Sequence, residues 1–288
     1  MRENNMKSLY GGGGNRFSLC NNVGLYFNHY LMFFMRTVYC NNISTFQHWL
    51  KAFTLAEVLL TLGIIGIVAV LTIPAQIQRY QEKVTINKVL SAYSLLNNAY
   101  SMLLSEYGTP DTWDDTSDIG LASMFAKKLN LGHICMTADP KCHTSILTQY
   151  KTLTGYIKNG EMHLLGAAGQ LKDMAVLFEM ESPTCRGVHE YTWESVTEKS
   201  PYWHMCGYIK VDINGSKPPN RHGRDLFTFV LTDSKIIPKG TPPTPYYSLQ
   251  SSCNPNITIW DGSTNGNFCA AWIIVNKNMD YLRKTVSW

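Results

Sequence analysis

The chain has 288 residues, 45% hydrophobic and 16% charged, with a formal net charge of +4, so it is long enough for one or two domains around a buried core. The charge is unevenly placed: residues 1–52 carry five basic side chains and one acid, whereas the remaining 236 residues carry 20 of each sign. With no basic excess or clustered stripe after position 52, the composition argues against a nucleic-acid binder.

In chain order, residues 1–52 form an upstream segment with a Gly11–Gly14 tract and an aromatic run around Phe33, and it stays outside the reading of the fold. Met32 and Met35 are alternative starts within it, the latter leaving an 18-residue leader that contains Arg36 and Lys51. Next comes Phe53–Ile73, 21 residues with the single charge of Glu57. A helix of that length crosses a hydrocarbon core of roughly 30 Å. An acid in such a span costs about 2.5–3.5 kcal/mol at mid-membrane and less near an end, so Glu57 asks for a partner. Cleavage after Ala52 would place a free α-amino group on Phe53. In a filament core of low dielectric, that amine from a neighbouring copy would pair with Glu57, offsetting the burial and setting the register between subunits.

Ala52, Phe53-Thr54-Leu55-Ala56-Glu57 and the apolar run behind them resemble the N-terminal cleavage and methylation motif of type IV pilins and type II secretion pseudopilins. The resemblance covers about 25 residues. It implies cutting between Ala52 and Phe53 by a prepilin peptidase, methylation of the Phe53 amine, and Glu57 as the fifth residue of the mature chain. Pro74 also falls where that family commonly has a proline. The family usually has Gly before the cut, where this chain has Ala52. An ordinary signal peptide would be cut after the apolar run, where Pro74-Ala-Gln-Ile is a poor small-residue site. The competing reading is a single-pass anchor with an incidental acid.

Beyond the membrane, Ile86, Val89, Leu90, Tyr93, Leu96, Tyr100, Leu103, Leu104 and Tyr107 recur at spacings of three and four, which predicts an amphipathic continuation over 74–108. Gly108-Thr109-Pro110 supplies its stop. A helix from Phe53 to Tyr107 would be roughly 80 Å long, with Pro74 kinking or locally melting it at the membrane exit.

From 109 to 288 the signals become short strands and turns: Leu153–Ile157, Ala175–Met180, Cys206–Ile213, Leu226–Leu231 and Ala271–Val275. The predicted class is α+β, a long N-terminal helix packed on a small antiparallel sheet, as the resemblance also implies. Six cysteines lie here, Cys135, Cys142, Cys185, Cys206, Cys253 and Cys269. An even number beyond a membrane segment reads as three disulfides in an oxidising compartment. Of their 15 pairings, the sequential set, 135 with 142, 185 with 206 and 253 with 269, closes three local loops.

Asp212, Asn214 and Asp225 set hard oxygen ligands around the Asn214-Gly215 turn, as some calcium loops do. The EF-hand pattern fails at its twelfth position, Gly223, and the other reading is a turn between strands with Asp225 as a cap. Some pseudopilins bind calcium in the head. His133, Cys135, Cys142 and His143 match no common zinc spacing. Cys185 and His189 lack an identifiable orienting group for nucleophilic catalysis. Tyr191, Trp193, Tyr202 and Trp203 read as packing around Cys206 rather than a base-stacking platform.

The expected protein is therefore not an enzyme. It is a filament subunit held in the bacterial inner membrane by one helix, with its head outside the cytoplasm. Its expected partners are lipid, a prepilin peptidase, an inner-membrane assembly platform, and itself or other pilins. A minor tip subunit whose head binds DNA, a surface or secretion cargo is the alternative.

Overall fold

The computed structural model describes residues 54–139, 150–156, 166–186, 200–215, 217–244, 249–257 and 265–288. Residues up to Gly66 and residues from Ile67 onward form two compact units, and helix α1, Leu55–Tyr107, contributes to both. The described part of the first unit is Thr54 and the opening turns of α1, exposed throughout.

In the second unit α1 continues through Pro74 as unbroken helix, which corrects the expected local melting. Pro74 has no N–H to donate, but the remaining ladder carries the helix past that gap. Gly108 ends it in the left-handed region at φ +76°, its N–H bonded to the Leu104 carbonyl at 3.1 Å, a termination that a residue with a Cβ strains to make. The buried face of α1 is Val89, Ala92, Leu96, Ala99, Tyr100 and Leu103. The predicted stripe had the right period but omitted the two alanines, both buried. Tyr107 is 38% exposed and stands outside the core.

After α1 a 3₁₀ turn, Pro110–Thr112, leads to α2, Asp118–Ala126. Ser117 caps α2 by accepting the Gly120 N–H at 3.1 Å. An antiparallel six-stranded meander follows in the order β1 to β6: Gly132–Met136, Ala167–Leu171, Met174–Met180, Met205–Asp212, Leu226–Thr232 and Ile236–Pro238. Both edges are blunted. β1 is interrupted by a register shift between Gly132 and Cys135, and β6 is three residues long and ends in a proline.

The sheet packs against α1 and α2 through one face. Phe227, Phe229 and Leu231 of β5, with Ile209 and Val211 of β4 and Val176 and Phe178 of β3, join the same core as the α1 stripe. Tyr93 stacks on Phe229 with centroids 5.6 Å apart, and Phe125 of α2 sits between Tyr100 and Phe178. The opposite face is covered too: Leu226 joins Tyr150, Ala168, Ala175 and Leu177, while Val230 joins Tyr202, Met205, Tyr208 and Ile237. With both faces covered, every residue of β5 is buried, the polar Thr228 and Thr232 included.

Two predicted strands are not strands. Leu153 and Thr154 form a turn, and residues 269–276 form a helix. Two further helices follow the sheet, α3 at Leu249–Ser252 and α4 at Cys269–Asn276, the latter replacing the predicted strand Ala271–Val275. The β-branched run Ile273-Ile274-Val275 suggested extended chain, but Ala270 and Ala271 favour helix and Lys277 closes it at φ 53°. Burial of Ala270, Ala271 and Ile273 against the core then outweighs the local β preference. β1, β2, β6 and α2 had no counterpart in the sequence reading.

Candidate functional site

The apolar half of α1 carries the expected processing and assembly residues. Ala52 and Phe53 lie outside the described residues. Glu57 is the third residue of α1, and Thr54 precedes the helix as its N-cap. The Thr54 N–H and hydroxyl both donate to Glu57 Oε2, at 2.9 and 3.0 Å, and Thr54 Oγ1 accepts the Glu57 N–H at 3.2 Å. This reciprocal pattern is a capping box, which satisfies donors that the first turn leaves free. The sequence reading missed Thr54 as a contributor, although Thr-x-x-Glu ahead of an apolar run is the signature of such a box.

From Leu55 the helix presents apolar side chains that nothing among the described residues covers. Leu59, Ile65 and Leu71 are 61, 64 and 74% exposed, and the most apolar 18-residue window has a mean hydropathy of 2.5 and is 0% buried. A core helix of the same composition would be hidden inside its own fold. Each large aliphatic side chain left in water forgoes about 1.5–3 kcal/mol, so this surface favours apolar cover. α1 is the one helix among the described residues long and apolar enough to cross a membrane.

The three residues expected as calcium ligands, Asp212, Asn214 and Asp225, lie at and after the end of β4. Asp212 ends β4, fully buried; its Oδ1 accepts the Asn214 N–H at 2.9 Å and its Oδ2 the Tyr150 hydroxyl. Asp225, also buried, accepts the N–H groups of Asn220 and Arg221 at 2.6 Å each. The two carboxylates thus fold the 213–225 loop onto itself by capping backbone donors. Burial pushes the Asp212 carboxyl up to about 7 against the lowering effect of Tyr150 and the Asn214 N–H, and it raises Asp225 as well. His222, edge-on to Tyr150, is driven down to about 3 by burial, with Lys210 and Lys239 adding to the effect. Among the described residues no three His, Cys, Asp or Glu side chains are grouped to hold a metal. The carboxylate oxygens of Asp212 and Asp225 are engaged with hydrogen-bond donors of the protein.

The cysteines divide in the same manner. Cys185 bonds Cys206 and Cys253 bonds Cys269, two of the three sequential pairs. Cys135 is disulfide-bonded, while Cys142 lies outside the described residues. Oxidation removes Cys185 as a nucleophile and Cys135 as a zinc thiolate; His143 and His189 are outside the described residues. Tyr202 is buried, its hydroxyl donating to the Thr241 carbonyl at 2.9 Å and accepting the Gly240 N–H at 3.0 Å. It is a packing residue, as expected, and not an open stacking platform.

Compared with known proteins, the chain matches no protein-family model, no curated protein and no solved structure.

Proposed function

We propose that this chain is a subunit of a type IV pilus-like or type II secretion-like filament, made as a precursor and cut after Ala52. One observation carries the reading: a single helix is uncovered and apolar in its first half and forms the spine of an α+β head in its second. The first half lies in the bilayer before assembly and against other subunits afterwards, which meets its need for apolar cover in both states. The disulfides support a head on the oxidising side of the membrane.

Glu57 has two roles in this reading. In the membrane its capping box with Thr54 keeps the carboxylate hydrogen-bonded within its own chain. Both Thr54 contacts fall on Oε2, so Oε1 remains for the α-amino group of a neighbouring Phe53. The head is a structural and surface element, and neither catalysis nor a cofactor enters its role.

Mass spectrometry of the mature protein from its own host tests the proposal. The expected mature chain begins at a methylated Phe53. Retention of the upstream residues, or a cut near Pro74, overturns it.

A further inference from the structure

Between the apolar run and the head, α1 carries chemistry that the filament reading leaves unused. Every residue from Val70 to Gln81 is exposed, and Glu82 is the first to be partly buried, held by Arg283 Nη1 at 2.6 Å. Pro74–Gln81 rise about 12 Å, enough to leave the hydrocarbon edge and pass through a headgroup layer about 5–8 Å thick. This stretch exposes Ile77 by 51% and Tyr80 by 70%. Arg79 and Lys83, both exposed, lie four residues apart and share a helix face.

Like charges at that spacing repel each other, and an anion between them relieves the cost. Lys284, next to the Arg283 that grips Glu82, adds a further exposed base from the far end of the chain, with Asp280 3.2 Å away. The local sum is positive: Arg79, Lys83, Arg283 and Lys284 against Glu82 and Asp280. Tyr80 beside these bases has the amphipathic ring that sits at a membrane–water boundary. A basic flank on the side away from the cytoplasm runs against the usual charge bias of membrane helices, so orientation does not account for it.

We propose that Arg79, Tyr80, Lys83 and Lys284 form a collar that binds the phosphates of anionic phospholipid at the outer face of the membrane. The collar rests on the reading of α1 as membrane-spanning. It holds the unassembled subunit at a fixed height, and subunit extraction must release it.

The full-length chain reconstituted in nanodiscs of equal phosphatidylcholine and phosphatidylglycerol tests this, with native mass spectrometry counting the lipids it retains. Phosphatidylglycerol should be enriched, by about fivefold for each engaged base, the factor equivalent to ~1 kcal/mol per Lys or Arg at an anionic surface. R79Q/K83Q should lower the enrichment to the share of Lys284 alone, about fivefold, while alkaline carbonate still fails to extract the chain. Parity in the parent protein, or undiminished enrichment in the double variant, overturns the collar. A parent chain stripped from the bilayer by carbonate overturns the spanning reading instead.

Discussion

At the scale of single residues, the two roles proposed for Glu57 can be separated by substitution. Glutamine keeps the shape and hydrogen-bonding oxygen of the capping box but removes the charge. Alanine at Thr54 keeps the charge but removes the cap, at about 1 kcal/mol of helix stability. Glu57→Gln should therefore insert normally and yield no fibres in a surface-shear preparation, while Thr54→Ala should still assemble. Normal fibres from Glu57→Gln would sink the ion-pair role. Asp212 makes a second residue-scale case. Its carboxyl is raised when folded, so the folded state holds the proton more tightly and loses stability as pH rises from the ordinary carboxylate range to about 7. His222 acts with the opposite sign, its neutral form costing stability as pH falls from 6.5 toward 3. Relative to the parent, Asp212→Asn should gain stability between about pH 4 and 7, by up to ~1.4 kcal/mol per pH unit, then level off. Denaturant midpoints in detergent across that range check it, and a constant difference would refute it.

At the scale of elements, α1 joins two kinds of helix in one continuous segment. Its first half has apolar residues on every side, the mark of a helix that meets no water. Its second half has one buried stripe, anchored by Lys88 to Asp173 at 2.6 Å and by the Tyr100 hydroxyl to the Thr232 carbonyl at 2.5 Å. Leu96 lies in that stripe with no exposed surface. Leu96→Ala should cost about 2–5 kcal/mol through lost contacts and the cavity left behind. Thermal unfolding of the head would report it, while the membrane association proposed for the other half should not change. The stripe was legible because its period of three and four survives a single sequence. Ala92 and Ala99 were not, because an alanine is equally at home on a buried or an exposed helix face. β2 was hidden by its composition, Ala-Ala-Gly-Gln-Leu, which has no β-branched residue. It becomes a strand through its pairing with β3 from Ala167↔Phe178 to Leu171↔Met174.

At the scale of the whole molecule, one disulfide fastens segments that follow the meander and another lies within it. Cys253–Cys269 joins α3 to α4 across 16 residues, beside the Gly266 N–H bond to the Ser252 carbonyl at 2.7 Å. Replacing both cysteines with serine should lower stability by about 2–5 kcal/mol, as for native bridges in secreted domains. Comparing thermal midpoints of the oxidised parent and the C253S/C269S variant checks this. An unchanged midpoint would mean that packing of Ala270, Ala271 and Ile273 suffices to hold α4. C185S/C206S tests the bridge that fastens the loop after β3 to β4.

What the amino-acid order determined alone was whatever depends on near neighbours. It set the length and apolarity of the first half of α1, the three-and-four stripe, the glycine that ends the helix, and the three central strands β3 to β5. The cysteine pairing stayed open among 15 sets, and two pairs of the sequential one are formed in the structure. The tertiary structure decided what depends on distant partners. It turned Cys269–Asn276 into helix against a β-branched run because the core rewarded burial of its alanine face. It covered both faces of β5, and it folded the two carboxylates of the 213–225 loop onto backbone donors. It also brought Arg283 to Glu82 across 201 positions, because long-range contacts follow from the packing of elements and local composition carries no record of them.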